Sequence, residues 1–168
     1  MSKALEYSQE TGVCMKVQDV MNPNVIVCSP DDTIRYVAML LKQNRISGVP
    51  VVKNGKVIGI VSEGDLLKLL EVPDRSGLWL PSPFEVIEVP IRELLNWEET
   101  KRMLEDVGSK PVTEIMEKDV YTVSPDDSIE EASTIITKHK VNRLPVIEKG
   151  VMVGIITRGD IIRGLGEL

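Results

Sequence analysis

The strongest constraint on the fold is an internal repeat. Residues 17–70 align without a gap to residues 112–165 at an offset of 95 residues, and 16 of the 54 aligned positions are identical. This period is longer than the roughly 20–50 residues typical of solenoid repeats. The sequence therefore predicts two copies of one small unit of helices and strands. Because each copy is too small to cover its apolar face alone, we expect the copies to share a core and to form paired clefts.

The repeat divides the chain into parts of different character. They are a polar tail (1–16), the first repeat (17–70), a connecting insert (71–111) and the second repeat (112–168). The insert contains both tryptophans, Trp79 and Trp97, and the only phenylalanine, Phe84. Large apolar residues are unusual in a flexible linker, so we expect the insert to pack on the repeats or on a second subunit. The sequence predicts a helix at its end, terminating at Gly108.

Composition narrows the class of protein. The fractions of hydrophobic residues (42%) and charged residues (27%) are those of a globular protein in water. No apolar run approaches the ~20 residues that cross a bilayer, and the first residues lack a signal-peptide core, so we expect no membrane association and a cytoplasmic location. Cys14 and Cys28 form no CxxC motif or disulfide framework, which fits a reducing compartment. The net charge of −6 argues against sequence-independent binding of nucleic acid.

Each repeat is predicted to follow the order β-α-β-β-α, after a short helical turn at "VQDVM" or "VTEIM". The runs "VIVC" and "VYTV" predict a first strand, which the following Ser-Pro-Asp-Asp ends. Ser128 and Glu131 fit a capping box at the start of the next helix. That helix has an apolar face in both copies. The face comprises Ile34, Val37, Ala38 and Leu41 in the first copy, and Ile129, Ala132 and Ile136 in the second. The predicted class is α/β (α+β), with two repeats packed in a pseudo-two-fold arrangement.

A hairpin and a second helix complete each repeat. Asn54 and Gly55 separate two apolar runs, and a matched Lys-Gly pair does so in the second repeat. Asn-Gly in this position favours a type I′ turn. The second helix is predicted to begin after Ser62 or Thr157.

Residues that support catalysis are scarce. His139 is the only histidine and lies in the Lys-rich run "TKHK", so a nucleophile paired with an imidazole base is not expected. No cluster of side chains has the spacing of a zinc site, and no glycine-rich phosphate loop follows a strand. We therefore expect no catalytic residue, no bound metal, no resident cofactor and no enzymatic activity.

Each repeat ends in the motif Gly-h-h-[Ser/Thr]-x-Gly-Asp, as "GIVSEGD" and "GIITRGD". One interpretation is structural, because Ser/Thr-x-x-Asp is a variant of the capping box. The other is functional: Asp65 or Asp160 accepts both vicinal hydroxyls of a ribose. Ser62 or Thr157 then binds a sugar or phosphate oxygen. The first glycine of each motif, Gly59 or Gly154, would let a ligand approach the strand.

Pro50 and Pro145 occupy matched positions in the strand after the first helix. Proline removes one donor from the ladder, so that neighbouring backbone groups lack a full set of partners and can read the edge of a flat base. An ordinary edge-strand proline explains the pattern equally well. The sequence leaves both interpretations open.

Cations gather between the first helix and these prolines. They are Lys42 and Arg45 in the first repeat, and Lys138, Lys140 and Arg143 in the second. They are either a solvated helix end or partners for phosphate. Because Arg143 matches Gly48 and Arg158 matches Glu63, the sequence predicts two clefts that differ in charge.

In order, the motifs are [DE]-[VI]-Met, h-x-x-Ser-Pro-Asp-Asp-[ST]-Ile, h-Pro-h-h and Gly-h-h-[ST]-x-x-Asp. This set resembles the cystathionine β-synthase (CBS) domain, and it occurs twice, as in a tandem pair or Bateman module. The resemblance covers both repeats but neither the tail nor the insert. It implies binding of AMP, ADP, ATP or S-adenosylmethionine, homodimerisation into a disc, and regulation of a partner protein in trans, since no catalytic domain is attached.

The resemblance also implies roles for matched residues. The ribose contacts would be Ser62, Asp65, Thr157 and Asp160. The adenine pockets would be lined by Val25, Ile46, Val49, Pro50, Ile60, Val120, Val141, Leu144, Pro145 and Ile155. The phosphate contacts would be Lys140, Arg143 and Arg158. The alternative function is a scaffold or interaction dimer whose clefts are vestigial.

Overall fold

The computed structural model describes residues 15–69, 102 and 105–166. The first repeat contains α1 (Val17–Val20), α2 (Ile34–Asn44), β1 (Gly48–Lys53), β2 (Lys56–Ser62) and α3 (Glu63–Lys68). The second repeat contains a 3-10 turn (Val112–Glu114), α4 (Ile129–His139), β3 (Arg143–Glu148), β4 (Val151–Thr157) and α5 (Arg158–Gly166). The mixed α and β class is confirmed, and so are the short helical turns that begin each repeat.

The chain forms two compact units, and each draws residues from both repeats. Among the described residues, one unit comprises residues 15–29, 50–60 and 117–166, and the other comprises residues 30–49, 61–69, 102 and 105–116. The core of the former is a cluster of Val17, Val123, Ala132, Ile136, Leu144, Val146, Ile156 and Ile161. The latter buries Ile34, Val37, Leu41, Val49, Val61 and Val112. The predicted apolar faces of α2 and α4 therefore face these cores.

Local capping explains where the long helices begin and end. The Ser128 hydroxyl accepts a hydrogen bond from Glu131 N (3.1 Å), and the Glu131 carboxylate accepts one from Ser128 N (3.0 Å). The predicted capping box is thus confirmed. Helix α2 is capped by Thr33 at its start and by Arg45 at its end, and Arg45 has a left-handed φ of 53°. Helix α4 ends in the same way at Lys140, with a φ of 55°.

The hairpins β1–β2 and β3–β4 form two-stranded sheets. Asn54 and Gly55 have positive φ values of 52° and 79°, and Lys149 and Gly150 have values of 50° and 82°. Positive φ at both central residues defines the type I′ turn, so the predicted turn is confirmed in both repeats.

The predicted first strand of each repeat is wrong as a strand, because it is reduced to one parallel β-bridge. Cys28 pairs with Val51, and Val123 pairs with Val146. The bridge of Cys28 consists of two backbone hydrogen bonds, Cys28 N to Pro50 O (3.0 Å) and Val52 N to Cys28 O (2.9 Å). The Ser-Pro-Asp-Asp turn follows at once, and its proline cannot extend a ladder.

The segments at the start of each repeat, residues 15–22 and 110–117, are named here the lead-in segments. The first of them packs on the second repeat. Val17 N donates to Asp127 O (2.9 Å), just before the start of α4. The Val17 side chain is 0% exposed and belongs to the core cluster that α4 and β3 also form. The second repeat therefore completes its core with residues from the start of the chain.

The second lead-in segment contacts the first repeat in the matched way. Val112 N donates to Asp32 O (2.8 Å), just before the start of α2. Further along, Ile60 of β2 and Glu117 exchange two backbone hydrogen bonds of 2.9 and 2.8 Å. The two repeats thus exchange their lead-in segments.

Residues 105–109, near the end of the insert, pack on the first repeat. Residues 105–109 are helical, and Arg35 of α2 donates to Glu105 O (3.5 Å). Gly108 is buried against Arg35, whose Nε would lie 3.3 Å from a Cβ added there. The three large aromatic residues of the insert lie outside the described residues.

Candidate functional site

The Asp160 carboxylate lies at the first turn of α5, where its two oxygens have different partners. Oδ2 accepts hydrogen bonds from Thr157 N (2.9 Å) and from the Thr157 hydroxyl (2.6 Å). Oδ1 accepts one from Arg163, one turn further along the helix. The Asp160 side chain is 12% exposed, and that of Arg163 is 67% exposed. A largely buried carboxylate therefore has one oxygen in the helix cap and the other under a solvent-exposed cation.

Asp65 repeats this arrangement at the start of α3. Its Oδ2 accepts from Ser62 N (3.0 Å) and the Ser62 hydroxyl (2.7 Å), and its Oδ1 accepts from Lys68 Nζ (3.0 Å). Burial acts to raise the pKa of Asp65, but the hydrogen bonds from Ser62 and Lys68 outweigh it and hold the pKa below its ordinary value. Asp65 is therefore a stable anion at neutral pH.

These distances confirm the structural interpretation of the Ser/Thr-x-x-Asp motif, which is that it caps the helix. Ser62 and Asp65 form a capping box, and Thr157 and Asp160 make the same contacts, with Asp160 N donating back to the Thr157 hydroxyl (3.3 Å). The cap uses Oδ2 alone. Since an ionised carboxylate oxygen accepts about two hydrogen bonds, Oδ1 keeps capacity for a ligand.

The sequence analysis missed Lys68 and Arg163. Both are basic, and they occupy matched positions three residues after Asp65 and Asp160. The signal that reveals them is the pattern Asp-x-x-[Lys/Arg] in both copies, which fits an ion pair across one helical turn.

The two carboxylates differ in their surroundings. In the second repeat, Arg143 is paired across the hairpin with Thr157 and is 8% exposed. Arg158 is exposed and donates to the side chain of Asn142 (3.4 Å). At the matched positions, the first repeat has Gly48 and Glu63. The end of hairpin β3–β4 that leads into α5 and Asp160 is therefore rich in arginine.

The family model described as the CBS domain matches residues 17–72 and 112–167. The chain belongs to the CBS-domain family. An uncharacterized protein of Methanocaldococcus jannaschii, MJ1426, is 36% identical over 157 residues, which is 92% of this chain and 93% of that protein. The resemblance inferred from the motifs is thus confirmed for both repeats.

Solved structures of CBS pairs share the fold. The CBSX2 protein in complex with AMP has a TM-score of 0.66 and 24% identity, over 91% of this chain and 97% of that one. The CBS domain pair of protein MJ0100, in complex with 5′-methylthioadenosine and S-adenosylmethionine, has a TM-score of 0.66 and 21% identity, over 92% of this chain and 98% of that one. At these identities the likeness establishes the fold alone.

The positions that the CBS resemblance assigns to adenine differ in burial. Val49, Pro50, Leu144, Pro145 and Ile155 are buried, and Val25, Ile46, Ile60, Val120 and Val141 are partly buried. Pro145 and Ile155 are cross-strand partners, which brings these two together. Leu144 belongs to the core cluster. Lys140, assigned to phosphate, is exposed at the end of α4.

The carbonyls of the two strand prolines have backbone partners. Pro50 O accepts from Cys28 N (3.0 Å), and Pro145 O accepts from Val123 N (3.1 Å). The residues that precede each first helix supply these donors. Each proline carbonyl thus has a backbone partner, and recognition of a base by the neighbouring backbone groups stays a prediction.

The space beside Gly154 is also filled, contrary to the expectation of a ligand there. A Cβ added at Gly154 would lie 2.5 Å from Met21 Sδ and 3.3 Å from Asn22 O. The glycine lets the first lead-in segment, rather than a ligand, approach β4.

Among residues 15–69, 102 and 105–166, no cluster of His, Cys, Asp and Glu has the composition and proximity of a metal site. In the same ranges no helix is long and apolar enough to cross a membrane.

Proposed function

We propose that this CBS pair is a regulatory module that binds adenosine nucleotides (AMP, ADP or ATP) through Asp65 and Asp160 and acts in trans on a partner protein. One observation carries the proposal: both repeats hold a largely buried carboxylate whose Oδ2 is fixed by a helix cap while Oδ1 points to an exposed cation. A ribose diol supplies two donors that suit such an acceptor.

The cap supports ligand binding because it orients the carboxylate in advance. The bonds from Thr157 fix the Asp160 side chain, so that little side-chain entropy remains to be lost when a ribose binds. Hydrogen bonds to an ionised acceptor are also the strong ones, worth about 1.5–3 kcal/mol each. The capping role and the ribose-binding role are therefore compatible.

The arginines of the second repeat favour a phosphorylated ligand. Arg143 and Arg158 lie at the end of the hairpin that carries Thr157, and guanidinium groups suit phosphate because they donate two parallel hydrogen bonds. The first repeat has no cation at either position and has Glu63 in place of Arg158. We expect AMP to bind more tightly at Asp160 than at Asp65, and we expect a smaller difference in affinity for adenosine.

Two structural neighbours support the ligand class. One is a complex with AMP, and the other is a complex with 5′-methylthioadenosine and S-adenosylmethionine. All three ligands contain the adenosine diol. S-adenosylmethionine is the alternative ligand, because it has the same diol and no phosphate.

Self-association is part of the proposal. Leu67 and Ile162 occupy matched positions on α3 and α5, and they are 62% and 65% exposed. Leu165 adds a third exposed apolar residue, at 57%. A single exposed leucine is ordinary, but matched apolar residues on both second helices fit a homodimer. Ligand binding would regulate a partner through different affinity for two arrangements of this assembly.

The experiment is calorimetric titration of the full chain with AMP, ATP and S-adenosylmethionine, with Asp65→Asn, Asp160→Asn and the double variant. Asparagine keeps the size and one capping oxygen but presents an amide where Oδ1 accepts. We expect each variant to weaken its own site by roughly 10- to 100-fold, the loss of one charge-assisted bond or a little more.

Glu131→Gln is the matched control, because Glu131 caps α4 in the same way and lies outside the proposed sites. It should leave affinity unchanged. If the wild type binds none of the three compounds at millimolar concentration, the sensor function is wrong and the scaffold dimer is favoured. If it binds and the double variant binds equally well, the assignment of the carboxylates is wrong.

A further inference from the structure

The cations beside Asp65 and Asp160 bind the carboxylate oxygen that the helix cap leaves open to a ligand hydroxyl. Lys68 Nζ lies 3.0 Å from Asp65 Oδ1, and Arg163 bonds Asp160 Oδ1 in the same way. In both repeats the cap occupies Oδ2 with two donors. A ribose diol must therefore share or take over Oδ1.

The exposures of the two partners favour displacement of the cation. The carboxylates are 15% and 12% exposed, whereas Lys68 and Arg163 are 69% and 67% exposed. A cation that already lies mostly in water gives up little when it leaves its partner, since exposed ion pairs contribute only about 0.2–1 kcal/mol. The carboxylate, in contrast, remains fixed by its cap.

The same ion pair occurs in both repeats even where their charges otherwise diverge. Glu63 is replaced by Arg158 two positions before the carboxylate, and Gly48 by Arg143, but a basic residue stands at position 68 and at position 163. Because the geometry and the charge of this ion pair are the same in both repeats, we associate the pair with the carboxylate and not with the differing net charge of each repeat.

We propose that Lys68 and Arg163 are displaceable latches, which hold Oδ1 of Asp65 and Asp160 when no ligand is bound and compete with the ribose diol for it. The latches lower the affinity of both sites and set a threshold concentration for binding. This inference rests on the proposed function, because it concerns the same carboxylates.

The test compares adenosine with AMP in titrations of the wild type, Lys68→Met, Arg163→Met and the double variant. Removing a latch leaves Oδ1 free, so affinity for both ligands should rise by about two- to fivefold at the affected site, the equivalent of an exposed ion pair. Lys68→Arg and Arg163→Lys keep the charge and should restore wild-type affinity. Lys110→Met removes an exposed ion pair with Glu114 (3.6 Å) elsewhere and should change nothing.

Ionic strength supplies a second readout that a structural role would not move. Salt screens exposed ion pairs, so wild-type affinity for uncharged adenosine should increase with salt, and this increase should vanish in the double variant. A latch that only supported its helix would alter the melting temperature and leave both the affinity and its salt dependence unchanged.

The outcomes separate the two proposals. If the wild type binds neither adenosine nor AMP, the proposed function fails. If it binds both and the methionine variants bind no more tightly, the latch is wrong while the function stands. If AMP affinity falls and adenosine affinity is unchanged, the cations contact phosphate, which also overturns the latch.

Discussion

The backbone of Asn22 in the first repeat exchanges two hydrogen bonds, of 2.9 and 3.0 Å, with Ile155 in the second. Ile60 and Glu117 are joined in the matched way at 2.9 and 2.8 Å. Each hairpin therefore obtains a strand-like partner from the lead-in segment of the other repeat. The first repeat alone would lack Val112, and the second alone would lack Val17, and both side chains are 0% exposed in the intact chain. Each would also lack the bonds just described, so the repeats are interdependent.

Interdependence predicts that separated halves fail to fold alone. A break between residues 71 and 101 gives two fragments. In each of them the lead-in segment is separated from the other repeat, on which it packs. We expect each fragment to lack a cooperative thermal transition by circular dichroism, and an equimolar mixture to regain it. A cooperative transition in either isolated fragment, at the temperature of the intact chain, would contradict this account.

The packing at Gly164 gives a second prediction from the exchange of lead-in segments. A Cβ added there would lie 2.7 Å from Val20 Cγ1 and 3.1 Å from Met15 Sδ, so α5 approaches the first lead-in segment closely. Gly164→Ala should lower the free energy of unfolding by about 1–3 kcal/mol through overpacking. Gly166 ends the same helix with nothing within 4 Å, and Gly166→Ala should cause no loss. Urea denaturation measures both, and equal stabilities would refute the close contact.

The sequence could predict what local chemistry determines. Asn54 with Gly55 predicted the type I′ turn, and Ser128 with Glu131 predicted the capping box. The exchange could not be predicted, because the lead-in segments "VQDVM" and "VTEIM" are alike and nothing in either indicates which repeat it contacts. The error over Gly154 has the same origin, since Met21, which fills the space beside it, comes from the other repeat.

The geometry of the cap could be predicted from the sequence, but the role of its carboxylate could not. A Ser/Thr-x-x-Asp motif predicts a cap and the position of the carboxylate, but two meanings of one motif cannot be separated by residue types alone. The coordinates assign Oδ2 to the cap and Oδ1 to a cation. Lys68 and Arg163 were overlooked because a basic residue on an exposed helix is usually only solvated.

The lowered pKa of Asp65 predicts the pH dependence of stability. Since the folded pKa lies below the ordinary value of 3.8, the ionised group stabilises the fold at neutral pH, and this contribution is lost as pH falls below about 4. The stability difference between wild type and Asp65→Asn should shrink toward zero over this range. Ser62→Ala removes the hydroxyl donor and should raise the pKa of Asp65, which carboxyl NMR titration measures. A pKa at or above 3.8 in the wild type would contradict the bonding described.

The exposed apolar residues predict the basis of self-association. Leu67→Lys combined with Ile162→Lys should convert a dimer to a monomer in light scattering after size exclusion, because four charges would be buried across a two-fold interface. Val151, which is 53% exposed on the hairpin, supplies the control, and Val151→Lys should leave the mass unchanged. A dimer that survives the double variant would place the interface elsewhere.

The central claim is that Asp65 and Asp160 bind the ribose diol, and the most direct measurement compares AMP with 2′,3′-dideoxy-AMP by calorimetry in the wild type and in Asp65→Asn/Asp160→Asn. The account predicts that the wild type binds AMP at least tenfold more tightly than the dideoxy compound, about the value of one hydrogen bond to a charged group. It also predicts that this ratio falls to near one in the double variant. Equal affinity of the wild type for both compounds, or a ratio that the double variant preserves, would contradict it.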